Sequence, residues 1–378
     1  MKRLLAILLA LVLVLSGCGG EADNAIYESA EGTFNTQVAE KQLLLERTPV
    51  NNATVTLIND ELVNFLDGHV FGKGLAVAEA RKTDLAAAKP VELTWKCEKE
   101  NTGYTVIYTT KQDFSDAVKV ETTEPQLELT DLFVATTYYW QVVTHTAEGD
   151  NYSTVFCFKT AETPRWMTVE GAYNVRDLGG YLTEDGKHRI KQGMIYRGSK
   201  LDDVTDRGAE KLLTVYGLKT DFDLRDETDS GWTGLESPLG DRVNYISVKG
   251  IGYTASISTY AEQFKQELLA FIDEATYPIY AHCSAGRDRG GTLMFHVGAL
   301  LGMSKEQLLA DYEMTYMSAK SYAKGDNKGH DWMYTFLNSF ELLEGDTYSE
   351  KAEKFWLNNG ITQEQIDKLR SIMWEDVN

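Results

Sequence analysis

The chain has 378 residues and carries 37 Lys and Arg against 57 Asp and Glu, a formal net charge of −20. That length allows two or three domains, and 43% hydrophobic with 25% charged residues is the composition of a folded protein rather than a disordered or collagen-like one. The acidic balance argues against a nucleic-acid partner, which needs a basic face, and four cysteines in so long a chain do not make a disulfide scaffold.

In chain order, Lys2 and Arg3 precede an unbroken apolar run from Leu4 to Leu15. The run is too short to span a bilayer comfortably and suits the core of a signal peptide. It ends in Leu15-Ser16-Gly17-Cys18, which resembles the bacterial lipobox. That resemblance implies cleavage before Cys18 and acylation of its thiol. Residues 1–17 would then be the signal peptide, 18–47 a tether, and the mature chain a lipid-anchored protein on the extracytoplasmic face of a bacterial membrane. The alternative is an ordinary secretory peptide cut near Gly19.

From 48 to 163 the pattern has period two. Val91–Trp95, Tyr104–Tyr108 and Tyr138–Val142 alternate, with turn residues at Asn101-Thr-Gly103 and Glu148-Gly-Asp150 between such runs. Short alternating strands at this spacing predict an all-β antiparallel sandwich. Trp95, and the spacing of Leu132, Thr136 and Tyr138, resemble the core tryptophan and tyrosine corner of a fibronectin type III domain. That resemblance implies a spacer or a recognition module. Leu62–Leu85 fits it poorly and reads as an insertion. Cys97 and Cys157 fall on expected strands, either as a disulfide or as two buried thiols.

Residues 164–378 read differently. Helical stretches (Asp206–Tyr216, Tyr260–Glu274, Gly291–Leu301) alternate with short apolar strands (Leu218–Leu224, Pro278–His282). Ser304 with Gln307 three residues on predicts a capping box for a helix running to Tyr316. The alternation predicts an α/β domain with a central, largely parallel sheet flanked by helices, its chemistry beyond the carboxyl ends of the strands.

At one such end stands His282-Cys283-Ser284-Ala285-Gly286-Arg287-Asp288-Arg289-Gly290. Five residues separate Cys283 from Arg289. A loop of that size wraps a tetrahedral anion with inward N–H groups, and the following helix N-terminus adds its dipole. Arg289 offers a bidentate fork to two phosphate oxygens. The same field favours the thiolate of Cys283, which lies under a bound phosphate for in-line attack.

This loop resembles the signature of the Cys-based protein tyrosine phosphatase superfamily. Within it, the likeness is closest to bacterial tyrosine and phosphoinositide phosphatases whose loop reads His-Cys-x-Ala-Gly-Lys-Asp-Arg-Thr-Gly. Asn174-Val-Arg-Asp-Leu-Gly-Gly180, Tyr196-Arg-Gly-Ser199, Asp223-Leu-Arg225 with Glu227, Asp311-Tyr312 and the tail from Phe355 to Met373 resemble further family elements in the right order. The resemblance implies that Cys283 is the nucleophile and that Arg289 binds phosphate. Ser284, Ala285, Gly286 and Arg287 line the anion site, and His282 supports the thiolate. Val243–Tyr260, where a mobile-loop acid might fall, has no Asp or Glu. The resemblance therefore makes Asp288 the general acid and base, with Asp177 and Asp223 as alternatives. Two positions depart from the pattern. Arg287 replaces Lys and keeps the charge. Gly290 replaces a hydroxyl residue that stabilises the departing thiolate, and Thr292 is the candidate substitute.

Gly250-Ile-Gly252-Tyr-Thr-Ala255 matches a dinucleotide fingerprint, but no acidic residue ends the following strand. Gly68–Gly74 is one residue short of a P-loop. His282 and Cys283 lack the companions of a metal site, so neither metal nor cofactor is expected. The expected activity is phosphomonoester hydrolysis through a phosphocysteine. Its substrate would be a phosphotyrosyl protein or peptide, or else a phosphoinositide or inositol phosphate. A rival expectation is a phospho-ligand-binding module stalled by Gly290.

Overall fold

The structure, a computed structural model, describes residues 47–377 except 81–84, 86, 163, 252–256, 319 and 321–327. The expected signal peptide, Cys18 and the tether up to residue 46 lie outside the described residues. So does most of the Gly250–Ala255 fingerprint.

The described chain divides into two units. The first comprises residues 47–55, 91–129 and 136–160. Burial alternates along Val91–Trp95, as its period-two pattern requires. This strand lies between Arg47–Thr48 and Gln126–Leu129 in a three-stranded sheet. A second sheet runs in the order Ala53–Val55, Phe156–Thr160, Thr137–Thr146, Gly103–Thr109, Val118–Thr122, with Gly149–Tyr152 added on Thr137–Thr146. All its pairings are antiparallel except Ala53–Val55 with Phe156–Thr160. Trp95 is buried edge-on to Tyr104 of the second sheet. Tyr138 is buried and stacks on Phe158. Cys97 follows the strand that ends at Trp95, is only half-buried and does not bridge to Cys157, so neither the Cys97–Cys157 disulfide nor the pair of buried thiols is found.

The second unit comprises residues 56–90, 130–135 and 161–378. Of the span 48–163, the stretches 56–90 and 130–135 and the residues from 161 on group with this unit. Ile58, Leu62 and Phe65 bury themselves against Trp166, Met314 and Met317, each such side chain contributing about 1.5–3 kcal/mol. The carbonyls of Asp131 and Leu132 accept from the buried Arg165 guanidinium.

The sheet of this unit has six strands: β1 (Arg165–Trp166), β2 (Arg176–Asp177), β3 (Ile195–Gly198), β4 (Thr220–Asp223), β5 (Asn244–Ser247) and β6 (Ile279–His282). Their order is β1-β2-β3-β6-β4-β5. The pairs β3–β6, β6–β4 and β4–β5 are parallel, and β1 and β2 add an antiparallel edge. The sheet is thus mixed, its parallel part central. Every residue of β3, β4 and β6 is buried, as expected of strands covered on both faces. Helix Asp288–Leu300 follows β6, and its residues from Gly290 to Leu300 are all buried. The capping box predicted at Ser304 and Gln307 is present, and the helix it opens runs Lys305–Glu313 before tightening into a turn over Met314–Met317. The expected helix Asp206–Tyr216 is α-helical only to Glu210 and wider-wound over Lys211–Val215.

Candidate active site

Register brings Gly198 and Asp223 level with His282, and Ser247 level with Asp223, so the four parallel strands end together. The chain leaves β6 at Cys283 and wraps above these ends until helix Asp288–Leu300 begins.

Nearly every carbonyl of the loop is tied outward. That of Cys283 accepts from His282 Nδ1 at 3.2 Å. That of Ser284 accepts from the Lys200 amide at 3.3 Å and the Tyr173 hydroxyl at 3.4 Å. Asn174 Nδ2 donates to the carbonyls of Ala285 at 3.2 Å and Gly286 at 3.4 Å. Arg197 Nη2 donates to Gly286 at 2.7 Å. In a planar trans peptide the N–H points opposite to the C=O, so fixing these oxygens outward turns the intervening amides to the other side. Inward amides are what a tetrahedral anion requires of such a loop. Gly286 has φ +66°, and a Cβ there would lie 2.3 Å from the Gly198 carbonyl, so only glycine closes this turn.

The residues that hold the loop are themselves held. Asp311 accepts from Arg176 Nε at 3.2 Å and from Arg197 Nη1. Arg176 also donates to Asn174 Oδ1. Burial, with Arg197 beside it, pushes Arg176 down to about 10, and the two guanidiniums hold the buried Asp311 carboxyl below its ordinary range. Asn174 sits in the left-handed region, φ 58°, which Asn tolerates.

His282 is fully buried between two acceptors, Asp221 Oδ1 at 2.8 Å from Nε2 and the Cys283 carbonyl at Nδ1. Carboxylate and carbonyl oxygens only accept, so acceptors on both ring nitrogens favour the protonated ring. Burial opposes that charge, but Asp221 outweighs it and raises the His282 pKa. His282 thus meets the Cys283 carbonyl and stands next to the buried Cys283.

Arg289 meets a residue the sequence reading missed. Asp229 takes Nη1 at 2.6 Å and Nη2 at 2.7 Å, and accepts from Ser284 Oγ at 2.6 Å. The Arg289 hydrogen bonds hold the Asp229 carboxyl far below its usual range, so it is ionised. Arg289 Nη1 also donates to the Leu224 carbonyl at 3.3 Å. The only signal for Asp229 in the sequence is a carboxylate in the polar turn that follows Asp223-Leu-Arg225.

The structure separates the three candidates for the proton donor. Asp177 is buried and saturated by Arg165, Gly179 N–H and Gly193 N–H. Asp223 is buried and accepts from Arg225 and the Tyr245 hydroxyl. Asp288 opens the helix next to Arg289, its side chain about a quarter exposed, with Arg287 Nε at 3.0 and 3.1 Å from its two oxygens. Gly290 stands against Cys283: a Cβ there would meet its Sγ at 4.0 Å. Thr292 does not replace the missing hydroxyl, because its Oγ1 donates to the Asp288 carbonyl at 2.8 Å.

Comparison with known proteins agrees with this geometry. The profile of the Tyrosine phosphatase family matches residues 167–375. The chain belongs to that family. A Cupriavidus necator protein named "Putative tyrosine-protein phosphatase" is 24% identical over 184 residues, which cover 40% of this chain and 66% of that relative. The core catalytic domain of the PP-IP phosphatase SIW14 from S. cerevisiae, solved with citrate, aligns with 18% identity and a TM-score of 0.31, over 51% of this chain and 96% of that one. The chicken CNTN1 FN1–FN3 domains align with 14% identity and a TM-score of 0.18, over 42% of this chain and 46% of theirs. Within the family match lie all the signature-loop residues, Asp229 and the Arg176–Asp311–Arg197 network.

Proposed function

We propose that this protein hydrolyses phosphomonoesters through a phosphocysteine, with phosphotyrosyl protein or peptide as its first substrate class. The observation that carries this reading is the outward tethering of the loop carbonyls over Cys283, which leaves an amide-lined seat for a tetrahedral anion. In the first step the Cys283 thiolate attacks phosphorus and the ester P–O bond breaks. Asp288 gives its proton to the departing oxygen. The amides of 284–289 and the Arg289 guanidinium hold the equatorial oxygens as charge moves onto them. In the second step the Asp288 carboxylate takes a proton from water, water attacks phosphorus, and Cys283 leaves as a thiolate. No metal enters either step.

Arg287 and Arg289 together favour a second reading, a phosphoinositide or inositol-phosphate substrate with more than one phosphate. The lipobox supports anchoring at Cys18 to the extracytoplasmic face of a bacterial membrane. The two-sheet topology and buried Trp95 support a fibronectin type III-like N-terminal unit.

The test is hydrolysis of an aryl phosphate in EDTA by wild type, Cys283→Ser and Asp288→Asn. Turnover abolished in Cys283→Ser and slowed in Asp288→Asn is the expected result. Phosphate binding without turnover or phosphoryl transfer by wild type would replace the enzyme by a binding module. Relative rates on a phosphotyrosyl peptide and an inositol polyphosphate then choose the substrate class.

A further inference from the structure

Residues 56–90 lie in sequence between early strands of the sandwich, yet they pack in the catalytic unit. Asn59 caps the helix Asp60–Leu66, its Oδ1 accepting from the Leu62 amide at 3.1 Å. A second helix, Lys73–Ala80, approaches the turn Met314–Met317 closely. A Cβ on Gly74 would lie 2.6 Å from Tyr316 Cδ2 and 3.0 Å from Glu313 Cβ. Glu313 is fully buried, and the segment holds both its oxygens. His69 Nε2 sits 2.8 Å from Oε2, and the Gly72 amide donates to Oε1 at 2.9 Å. A buried carboxylate stripped of such partners is strongly destabilising, so this contact is a built part of the unit.

The other side of the same turn faces the signature loop. Thr315 Oγ1 accepts at 3.3 Å from Asn174 Nδ2, the group that also holds the Ala285 and Gly286 carbonyls. Tyr316 is fully buried and edge-on to Tyr312. Residues 59–80 thus back a turn whose front supports the loop.

We propose that the helical pair Asp60–Leu66 and Lys73–Ala80 is a positioning element of the active site. It acts through Glu313 and Thr315, and through Asn174 on the Ala285 and Gly286 carbonyls, to set the Arg287–Asp288 corner that follows them. The inference rests on Asp288 being the proton donor. A displaced donor harms reactions whose leaving group needs a proton and spares those whose leaving group departs as a stable anion. A loss of folded protein harms both equally.

The experiment uses the full chain with Gly74→Ala, His69→Ala, His69→Gln and Asp288→Asn. Each is assayed on phenyl phosphate and on 2,4-dinitrophenyl phosphate, with melting followed in parallel. General acids contribute about 10²–10⁴-fold, and partial misplacement removes part of that. Gly74→Ala and His69→Ala should lose about tenfold in kcat on phenyl phosphate and about twofold or less on the dinitrophenyl ester, with KM little changed. His69→Gln, which still donates to Glu313, should restore the rate. If Asp288→Asn shows the leaving-group dependence while Gly74→Ala and His69→Ala show none, or lose equally on both esters, the positioning role is overturned. If Asp288→Asn itself shows no dependence, the acid assignment fails and this inference falls with it.

Discussion

Replacing Gly290 by serine tests the chemistry of the second step most directly. A Cβ at this position meets only Cys283 Sγ, at 4.0 Å, so serine enters without displacing a neighbour. Its Oγ then comes within hydrogen-bonding range of the sulfur. Such a bond strengthens as the thiolate is expelled from phosphorus, because the sulfur gains charge in that step. A hydrogen bond to a charged group contributes about 1.5–3 kcal/mol. The transition state carries part of that charge, so about 1.4 kcal/mol, or about tenfold in rate, is the expected gain. Nothing already supplies the bond from Thr292, whose hydroxyl proton goes to the Asp288 carbonyl. Serine also outranks glycine in helix propensity by about 0.5 kcal/mol, so the variant should not lose stability. Rapid-quench kinetics on an aryl phosphate separates phosphocysteine formation from its hydrolysis. Gly290→Ser should raise the hydrolysis rate about tenfold, shrink the steady-state phosphocysteine and the burst amplitude with it, and leave the rate constant of phosphocysteine formation little changed. A folded Gly290→Ser protein with an unchanged second step would refute the argument.

Three other outcomes follow from the same geometry. Asp229→Asn removes the charge that fixes both Arg289 nitrogens, and should lower kcat/KM on an aryl phosphate about tenfold; an unchanged value would show that Arg289 is held by the Leu224 carbonyl and the loop alone. Asp311→Asn leaves the buried Arg176 and Arg197 under-compensated and should cost about 3–5 kcal/mol in urea unfolding, a loss below about 1 kcal/mol being incompatible with the network described. His296 is buried among Phe264, Phe336, Phe340, Phe355 and Trp356, and burial pushes it down to about 3. The unfolded chain takes up its proton near pH 6.5 and the folded chain does not until about pH 3, so stability falls as pH drops through that window, on the order of 1.4 kcal/mol per unit. His296→Leu should flatten that acid limb in urea titrations, and a limb as steep as that of wild type would sink the assignment.

The signature loop was legible because its chemistry is local. Cys283, the amides after it and Arg289 are contiguous, and a strand before and a helix after them suffice to aim them. The alternation of strands and helices in 164–378, the capping box at Ser304 and the period-two strands of the sandwich are legible for the same reason: each depends on neighbours within a turn or a strand pair. Asp177 and Asp223 stayed open as acids because their donors, Arg165 and Tyr245 among them, come from other elements.

The sequence by itself therefore pointed to the phosphatase family, the loop from Cys283 to Arg289, the alternation of strands and helices around it and the absence of a hydroxyl at Gly290. Tertiary structure alone decided what presses on that loop. Asp229 reaches Arg289 across 60 residues, and Asp311 reaches Arg197 across 114. His69 reaches Glu313 across 244, from a segment that chain order places among the strands of the sandwich. A buried charge must find its partner wherever the packed chain brings one, and no local period or spacing records where that will be.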